Sequence, residues 1–394
     1  MARKMYIGVD SKARKVKQMY VGVESKARRV KKAYIGIGGV ARPFWGDYEI
    51  SYYGKITALS TARQILGATS VGNYAIFAGG ESTSSGLTVV DAYNTELTRS
   101  KPTALTVGRG RMGATTVGDY AIFAGGTTNT GSSGGRSDVV DAYNSSLTRS
   151  TPEVLSSARY SPSATTVGDY AIFFGGQTGS YNVSASVEAY NTSLTRTLLT
   201  QSTRSRVGMG SASIGNYALF VGGHYYGSSY NSLRTTIVEA YDTSLTQTIL
   251  SDTSEAMSGL RGTTLGDYAV LGGGRYGSYG GVGNPTLKLQ VYNKSLTLST
   301  PVSLSSTMVN HTAVTLKDNA IFASAYIEND SNVSSLTNVF DKNLTRTIQT
   351  KLATKRTNHA STTIGNYALF AGGNSNPSDS SKGYVAVVEA YVAQ

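Results

Sequence analysis

The chain has 394 residues, no cysteine and a formal net charge of +12. The absence of cysteine excludes disulfides, thiolate nucleophiles and zinc sites built on cysteine. No apolar run reaches the roughly 20 residues that a membrane-spanning helix needs, and the N-terminal segment lacks the apolar core of a signal peptide, so we expect synthesis in the cytoplasm without a signal peptide.

Residues 1–46 form a basic arm built from a short repeat. Residues 1–45 carry 12 Lys or Arg and 2 Asp or Glu, a net charge of +10. Residues 5–18, 19–32 and 33–46 are three copies of a 14-residue unit, and each copy predicts a strand, a turn and a return strand. Such a small hairpin is not stable alone in water, so the arm needs a surface to cover it. We expect it to attach to a partner through Tyr6, Arg14, Lys15, Lys17, Tyr20, Arg28, Arg29, Lys31, Lys32, Tyr34, Phe44 and Trp45.

Two other interpretations of the arm stay open. It is alternatively a β-extension that is merely solvated, or a nucleic-acid arm whose Lys and Arg bind phosphates. Val and Ile interleave with the charges at strand spacing, which favours an ordered docking surface over a nucleic-acid arm. The net charge predicts an acidic partner surface and an association that weakens as salt rises.

Residues 47–394 contain a second, longer repeat. A nine-residue motif begins at Gly72, Gly118, Gly168, Gly215, Gly266, Lys317 and Gly365, at steps of 46 to 51 residues. A period near fifty indicates one supersecondary module per copy. In the third copy, residues 164–167, 170–174, 186–190 and 194–197 predict the four strands of one sheet. Seven such sheets about an axis predict an all-β fold, a seven-bladed β-propeller.

The two ends of the propeller region predict how the ring closes. The seventh copy stops after its third strand, at residues 389–394, and Ile50–Ile56 occupies the place of a fourth strand before the first copy. We therefore expect Ile50–Ile56 to complete the last blade by pairing with residues 387–391. This arrangement removes an exposed sheet edge that would otherwise invite aggregation.

The Gly-Gly pair after the second strand, the Val-Glu-Ala-Tyr-Asn third strand and the Arg before the first strand together resemble the kelch repeat. The resemblance covers about residues 50–394 and implies a kelch-like propeller, a fold used more often for binding than for catalysis. The chain departs from the kelch pattern in three ways. Leu-Thr replaces the fourth-strand Trp, the sixth copy reads Ser324-Ala325 in place of Gly-Gly, and Met257 and Met308 replace the Arg in the fifth and sixth copies.

The loops of the two propeller faces differ in character. On one face the turns are short and uniform, such as Gly168-Asp169 and Asn191-Thr192. On the other face the loops between second and third strands vary and are rich in Tyr, Ser and Gly, a composition that suits recognition, although unconstrained connectors have it too. This variable face supplies our candidate receptor-binding residues, Tyr181, His224, Tyr225, Tyr226, Tyr230, Arg275, Tyr276 and Tyr279.

The sequence offers no catalytic residue, metal site or cofactor motif that we would name, so we expect a protein that is not an enzyme. His311 and His359 recur at one repeat position, which favours packing over metal binding. Five arginines recur before the first strands and are expected at the top of the central channel, where they either stabilise neighbouring blades or bind an anion or glycan: Arg63, Arg109, Arg159, Arg206 and Arg356. A glycan-active enzyme is the third interpretation.

The arm, with Lys31-Lys-Ala-Tyr-Ile-Gly-Ile-Gly-Gly-Val-Ala-Arg42 and its repeats, is similar to N-terminal segments of virion proteins in phages and prophages of Gram-positive bacteria. This resemblance implies a virion location and partners among other virion proteins. We expect a phage tail fibre or adhesin that binds a bacterial surface glycan or protein through the variable face. The alternative is a capsid-decoration or baseplate component that contacts only virion proteins. We expect no membrane insertion, and homo-oligomers are compatible with either function.

Overall fold

The computed structural model describes residues 6–9, 12–15, 20–23, 26–29, 32–37, 40–46, 48–83, 85–129, 135–228, 230–277, 283–327, 332–348, 350–376 and 383–394. The described part of the chain is all-β, and it contains no helix long and apolar enough to cross a membrane. Residues 6–46 are described by their strands alone.

The described part of residues 48–394 contains seven four-stranded antiparallel sheets. We number them one to seven from the N-terminal end. In order from first to fourth strand they are Gly67–Val71, Tyr74–Ala78, Val90–Tyr93 and Arg99–Ser100 (sheet one); Gly113–Val117, Tyr120–Ala124, Val140–Asn144 and Arg149–Ser150 (two); Ser163–Val167, Tyr170–Phe174, Val187–Asn191 and Arg196–Leu198 (three); Gly210–Ile214, Tyr217–Val221, Val238–Asp242 and Gln247–Leu250 (four); Arg261–Leu265, Tyr268–Gly272, Leu289–Asn293 and Leu298–Ser299 (five); Thr312–Leu316, Asn319–Ile327, Asn332–Asp341 and Arg346–Ile348 (six); Ala360–Ile364, Tyr367–Ala371, Val388–Ala393 and Ile50–Ile56 (seven).

Shorter strands extend the loops of sheets four and five. His224–Tyr226 pairs with Ser232–Arg234, and Arg275–Tyr276 lies between Met257–Ser258 and Asn284–Pro285. In the arm, three hairpins pair Tyr6–Val9 with Lys12–Lys15, Tyr20–Val23 with Lys26–Arg29, and Lys32–Ile37 with Val40–Gly46. The predicted hairpins are therefore confirmed. Lys17 and Lys31 lie outside the described residues.

The prediction that Ile50–Ile56 completes the last sheet is confirmed. It pairs antiparallel with Val388–Ala393, with Ile56 opposite Val388 and Ile50 opposite Ala393. A bulge between Ala390 and Tyr391 shifts the register, and Gly54 takes a positive φ of 128° beside it. The N-terminal strand thus covers what would be the free edge of the C-terminal strand.

The turn before each fourth strand differs from the prediction. We expected Leu194 to begin a strand, but the fourth strand of sheet three begins at Arg196, and Leu194 has a φ of 63° in the turn. The side-chain oxygen of Asn191 accepts hydrogen bonds from the backbone amides of Ser193 and Thr195, which fixes this turn. The leucine side chain packs against the core instead of extending the sheet.

The core lies between neighbouring sheets and is formed largely by their second strands. Ala75, Ile76, Phe77 and Ala78 of sheet one are fully buried. The Gly-Gly pair permits the close approach, because a Cβ on Gly79 would stand 2.3 Å from the carbonyl oxygen of Arg109 in the next sheet. In sheet six Ser324 replaces the first of these glycines, and its hydroxyl donates to the corresponding carbonyl oxygen, that of Arg356.

Consecutive sheets contact one another through their first strands, and the first strand of sheet seven contacts that of sheet one. Backbone hydrogen bonds also connect the residues that precede these strands. The amide of Ile65 donates to the carbonyl of Asn358 at 2.8 Å, and the amide of Arg111 donates to the carbonyl of Ile65 at 3.1 Å. Both Ile65 and Arg111 take a positive φ, the conformation in which they make these links. The repeat fold is propeller-like and all-β.

The five repeated arginines do not line the channel, which corrects the expectation from the sequence. Each is fully buried and forms an ion pair with an acidic residue on the third strand of its own sheet. The pairs are Arg63–Asp91, Arg109–Asp141, Arg159–Glu188, Arg206–Glu239 and Arg356–Glu389, with nitrogen–oxygen distances of 2.5 to 3.0 Å. Their role is therefore structural, since a buried charge needs a partner.

Sheets five and six lack both members of this pair. Met257 replaces the arginine in sheet five, and the Gln290 side chain donates to its sulfur at 3.5 Å. In sheet six Met308 and Asn338 make the same contact at 3.7 Å. The cation and the carboxylate have thus been exchanged together for a thioether and an amide, so neither buried charge is left without a partner.

Candidate functional site

A cavity of about 710 Å³ lies at the centre of the seven sheets. Residues at the start of all seven first strands line it, and so do Gln177 and His224 from the loops that follow the second strands of sheets three and four. The cavity therefore reaches the face that carries the variable loops. Its volume falls within the range of small-molecule sites, about 300–1,000 Å³.

Three of the candidate tyrosines meet beside this cavity. The ring of Tyr181, from sheet three, lies 5.4 Å from the ring of Tyr226 and 4.8 Å from that of Tyr230, both from sheet four. Tyr181 is 51% exposed and Tyr230 is 66% exposed. We call these three residues the tyrosine ledge. The ring of His224 lies 5.7 Å from Tyr226 and joins the ledge to the cavity wall.

A second group of side chains continues from the ledge across sheets one to three. The guanidinium carbons of Arg111 and Arg136 lie 5.9 Å and 6.0 Å from the ring centre of Tyr160. Arg111 also donates from Nε to Oε1 of Glu81 at 3.0 Å. The cation–π contact holds Arg111 beside the Tyr160 ring, and the Arg111 side chain remains 39% exposed. Arg111 and Tyr160 line the cavity.

The remaining candidate residues are placed elsewhere. Tyr225 points to the other side of its strand from Tyr226, and the guanidinium carbon of Arg204 lies 4.4 Å from its ring centre. Tyr276 is half-buried, because its strand pairs with Met257 and its ring packs against the core between sheets four and five. Arg275 donates to the carbonyl oxygen of Gly283. Tyr279 lies outside the described residues.

The three histidines line the cavity, and burial keeps them neutral. Burial, and then the charge of Arg234, lowers the pKa of His224 to about 4. Burial, and then the charge of Arg261, lowers the pKa of His311 to about 3. Burial also lowers the pKa of His359, whose Nε2 shares a 3.0 Å hydrogen bond with Thr312. Within the part of the chain that the structure describes, no three His, Asp or Glu residues are grouped to hold a metal.

Sequence reasoning missed Arg111, Tyr160 and Arg261, all of which line the cavity. Arg111 and Tyr160 stand just before first strands, outside the variable loops from which the candidate residues were taken. Arg261 occupies a position where the other six sheets have Gly, Ser, Thr or Ala, and this break in the repeat was visible in the sequence. A comparison of repeat positions for unexpected charge would have found it.

No family model matches this chain, and no curated protein matches it. Among solved structures it is similar to one titled "Structure of YjhT", with a TM-score of 0.57 and 11% sequence identity. The match covers 75% of this chain and 99% of the YjhT chain. At this identity the likeness shows the fold alone, a propeller-like all-β repeat.

The likeness to YjhT corrects one expectation from the sequence, that the chain is not an enzyme. That expectation relied on a fold used mainly for binding and on the absence of recognisable catalytic motifs. A propeller-like fold carries catalytic as well as binding sites, and the central cavity offers arginine, histidine and tyrosine side chains to a small molecule. We therefore no longer exclude enzymatic activity for this chain.

Proposed function

We propose that residues 47–394 form a closed seven-bladed, kelch-like propeller that binds a bacterial surface glycan or protein through the tyrosine ledge. Closure is supported by the contact between sheets seven and one, by the amide of Ile65 donating to Asn358, and by the strand that Ile50–Ile56 adds to sheet seven. A rigid ring suits recognition because loops on such a scaffold lose little conformational entropy when they bind.

The observation that carries this proposal is the meeting of Tyr181, Tyr226 and Tyr230 from two different sheets. Aromatic rings this exposed are costly to solubility unless a partner covers them. A tyrosine offers an apolar face that stacks on a sugar ring and a hydroxyl that hydrogen-bonds to it, and tyrosines are frequent binding hot spots. Arg111, Arg136 and Tyr160 extend the same surface with polar contacts.

We further propose that the arm attaches this propeller to a phage particle, as in a tail fibre or adhesin. Support comes from the resemblance of the arm to virion proteins and from its three hairpins. Two-stranded hairpins are marginal by themselves, so an external surface would stabilise them. The basic charge of the arm favours an acidic partner surface on the particle.

The experiment compares binding of the purified chain and two variants to bacterial polysaccharide arrays and to whole bacteria. Tyr181→Ala with Tyr226→Ala should weaken binding by roughly 2–4 kcal/mol, or about 30- to 1,000-fold. Tyr53→Ala is the matched control, because Tyr53 is 53% exposed on the outermost strand of sheet seven. It should leave binding unchanged.

Two results would contradict the proposal. Equal binding by the ledge double variant and wild type would show that recognition lies elsewhere. Binding to phage structural proteins, combined with no binding to any bacterial surface, would favour a capsid-decoration or baseplate component instead.

A further inference from the structure

The charged side chains that line the central cavity, among the residues that the structure describes, are all basic. This described lining includes Arg111, Arg261 and the three histidines of the chain, but no aspartate or glutamate. Arg111 is compensated, because its Nε donates to Glu81 at 3.0 Å. With the imidazoles neutral near pH 7, Arg261 is the one cation of the described lining that has no described carboxylate partner.

Arg261 breaks the repeat at a position that faces the next sheet and the cavity. It is the first residue of the first strand of sheet five and pairs with Gly272. The equivalent residues in the other six sheets are small: Gly67, Gly113, Ser163, Gly210, Thr312 and Ala360. The fold therefore needs no long side chain here, and packing does not account for an arginine.

The contacts of Arg261 hold its guanidinium at the cavity wall. Nε donates to the carbonyl oxygen of His311 at 3.2 Å, and a terminal nitrogen donates to that of Leu260 at 3.4 Å. The side chain is exposed to the cavity, yet the surrounding strands desolvate it enough to lower its pKa. A guanidinium stays charged at all physiological pH, and its planar fork matches the two oxygens of a carboxylate, sulfate or phosphate.

We propose that the central cavity binds an oxyanion group of a small molecule, with Arg261 as its principal ligand. The hydroxyl of Ser361, also in the wall, supplies a further donor. At about 710 Å³ the cavity holds a molecule larger than a lone inorganic ion. This site is distinct from the tyrosine ledge, so the proposal of oxyanion binding does not depend on the proposed receptor binding.

Calorimetric titration of the full chain at pH 7 and low salt tests this site. The probes are inorganic phosphate, sulfate and D-glucuronate, with D-glucose as the uncharged control. We expect saturable one-to-one binding of at least one oxyanion, competition between those that bind, and no binding of glucose. Tightest binding of glucuronate would indicate that the natural ligand carries a carboxylate. Tightest binding of an inorganic ion would indicate that it carries a phosphate or sulfate group.

Variants locate the site. Arg261→Gln should weaken oxyanion binding at least tenfold, whereas Arg261→Lys should retain part of it because the charge remains. Arg346→Gln is the control, since Arg346 lies on the fourth strand of sheet six and donates to the carbonyl of Ser303. It should bind as wild type does. Unchanged binding by a folded Arg261→Gln protein would overturn the proposal.

A second measurement does not depend on any variant folding. Imidazole nuclear magnetic resonance signals are few in this chain, which has three histidines. Saturating phosphate or glucuronate should shift the signal of His311, whose pKa the charge of Arg261 lowers, more than that of His224. Absence of any saturable shift with all three oxyanions would also overturn the proposal.

Discussion

The buried ion pair of Arg206 and Glu239 can be replaced by the methionine and glutamine that occupy the equivalent positions of sheet five. Arg206 lies 3.0 Å from Glu239, and both side chains are fully buried. Glu239 also accepts hydrogen bonds from the Thr203 amide and hydroxyl at 3.0 Å and 2.8 Å. Arg206→Met alone leaves this carboxylate charged and buried without its cation. The expected loss of unfolding free energy is about 3–5 kcal/mol.

The double variant Arg206→Met with Glu239→Gln copies Met257 and Gln290 into sheet four. The new amide can still accept from Thr203, and its nitrogen can donate to the methionine sulfur, as Gln290 does at 3.5 Å. No charge is buried, so we expect stability within about 1–2 kcal/mol of wild type. Glu239→Gln alone should be strongly destabilising, because it leaves the guanidinium without its counter-charge.

Equilibrium urea unfolding followed by circular dichroism measures all four proteins of this cycle. The two single variants should unfold at lower urea concentrations than wild type. The double variant should recover most of the lost unfolding free energy, which corresponds to a coupling energy of at least about 2 kcal/mol between the two positions. A double variant as unstable as the sum of the singles would refute the reasoning. So would an Arg206→Met protein within about 1 kcal/mol of wild type.

Three further predictions follow from the same structure. His311 has a pKa of about 3 in the folded chain against 6.5 unfolded, so its stabilising contribution is complete above pH 6.5 and is lost as pH falls toward 3. His311 thereby costs roughly 1.5 kcal/mol between pH 6.5 and 5, and His311→Gln should reduce the slope of a stability–pH profile there by this share, while the shares of His224 and His359 remain. Deleting residues 1–58 should expose the edge of Val388–Ala393 and cause aggregation in light scattering, and a soluble, cooperatively melting product would count against closure by this strand. Deleting residues 1–45 should leave the propeller's melting transition intact but prevent incorporation into particles, and normal incorporation would refute attachment through the arm.

The repeat architecture was predictable because its signals are local. Strand alternation, the Gly-Asp and Asn-Thr turns and the spacing of the copies each follow from a few neighbouring residues. The seventh copy lacks a fourth strand, and an additional strand, Ile50–Ile56, precedes the first copy. These two observations together predicted that Ile50–Ile56 pairs with the third strand of the seventh copy. The turn at Leu194 was misassigned because a leucine with positive φ is unusual, and the Asn191 side chain that fixes it acts across four residues.

The site was less predictable because it depends on contacts between distant residues. Arg63 and Asp91 stand in separate segments, so the sequence suggested channel arginines where the structure has buried ion pairs. The simultaneous change to Met257 and Gln290 in sheet five was a signal that those positions are partners. Loop composition made Tyr181, Tyr226 and Tyr276 equal candidates. Their packing distinguishes them, because the rings of Tyr181 and Tyr226 contact each other, whereas the ring of Tyr276 packs against the core.

Hydrogen exchange on the full chain, with and without a bacterial polysaccharide that it binds, tests receptor recognition by the tyrosine ledge most directly. We predict protection of residues 177–183 and 224–228, which carry Tyr181, His224 and Tyr226, with little change at the turns of the opposite face, such as Gly118-Asp119 and Gly168-Asp169. Protection of those opposite turns, with the ledge segments unchanged, would contradict it.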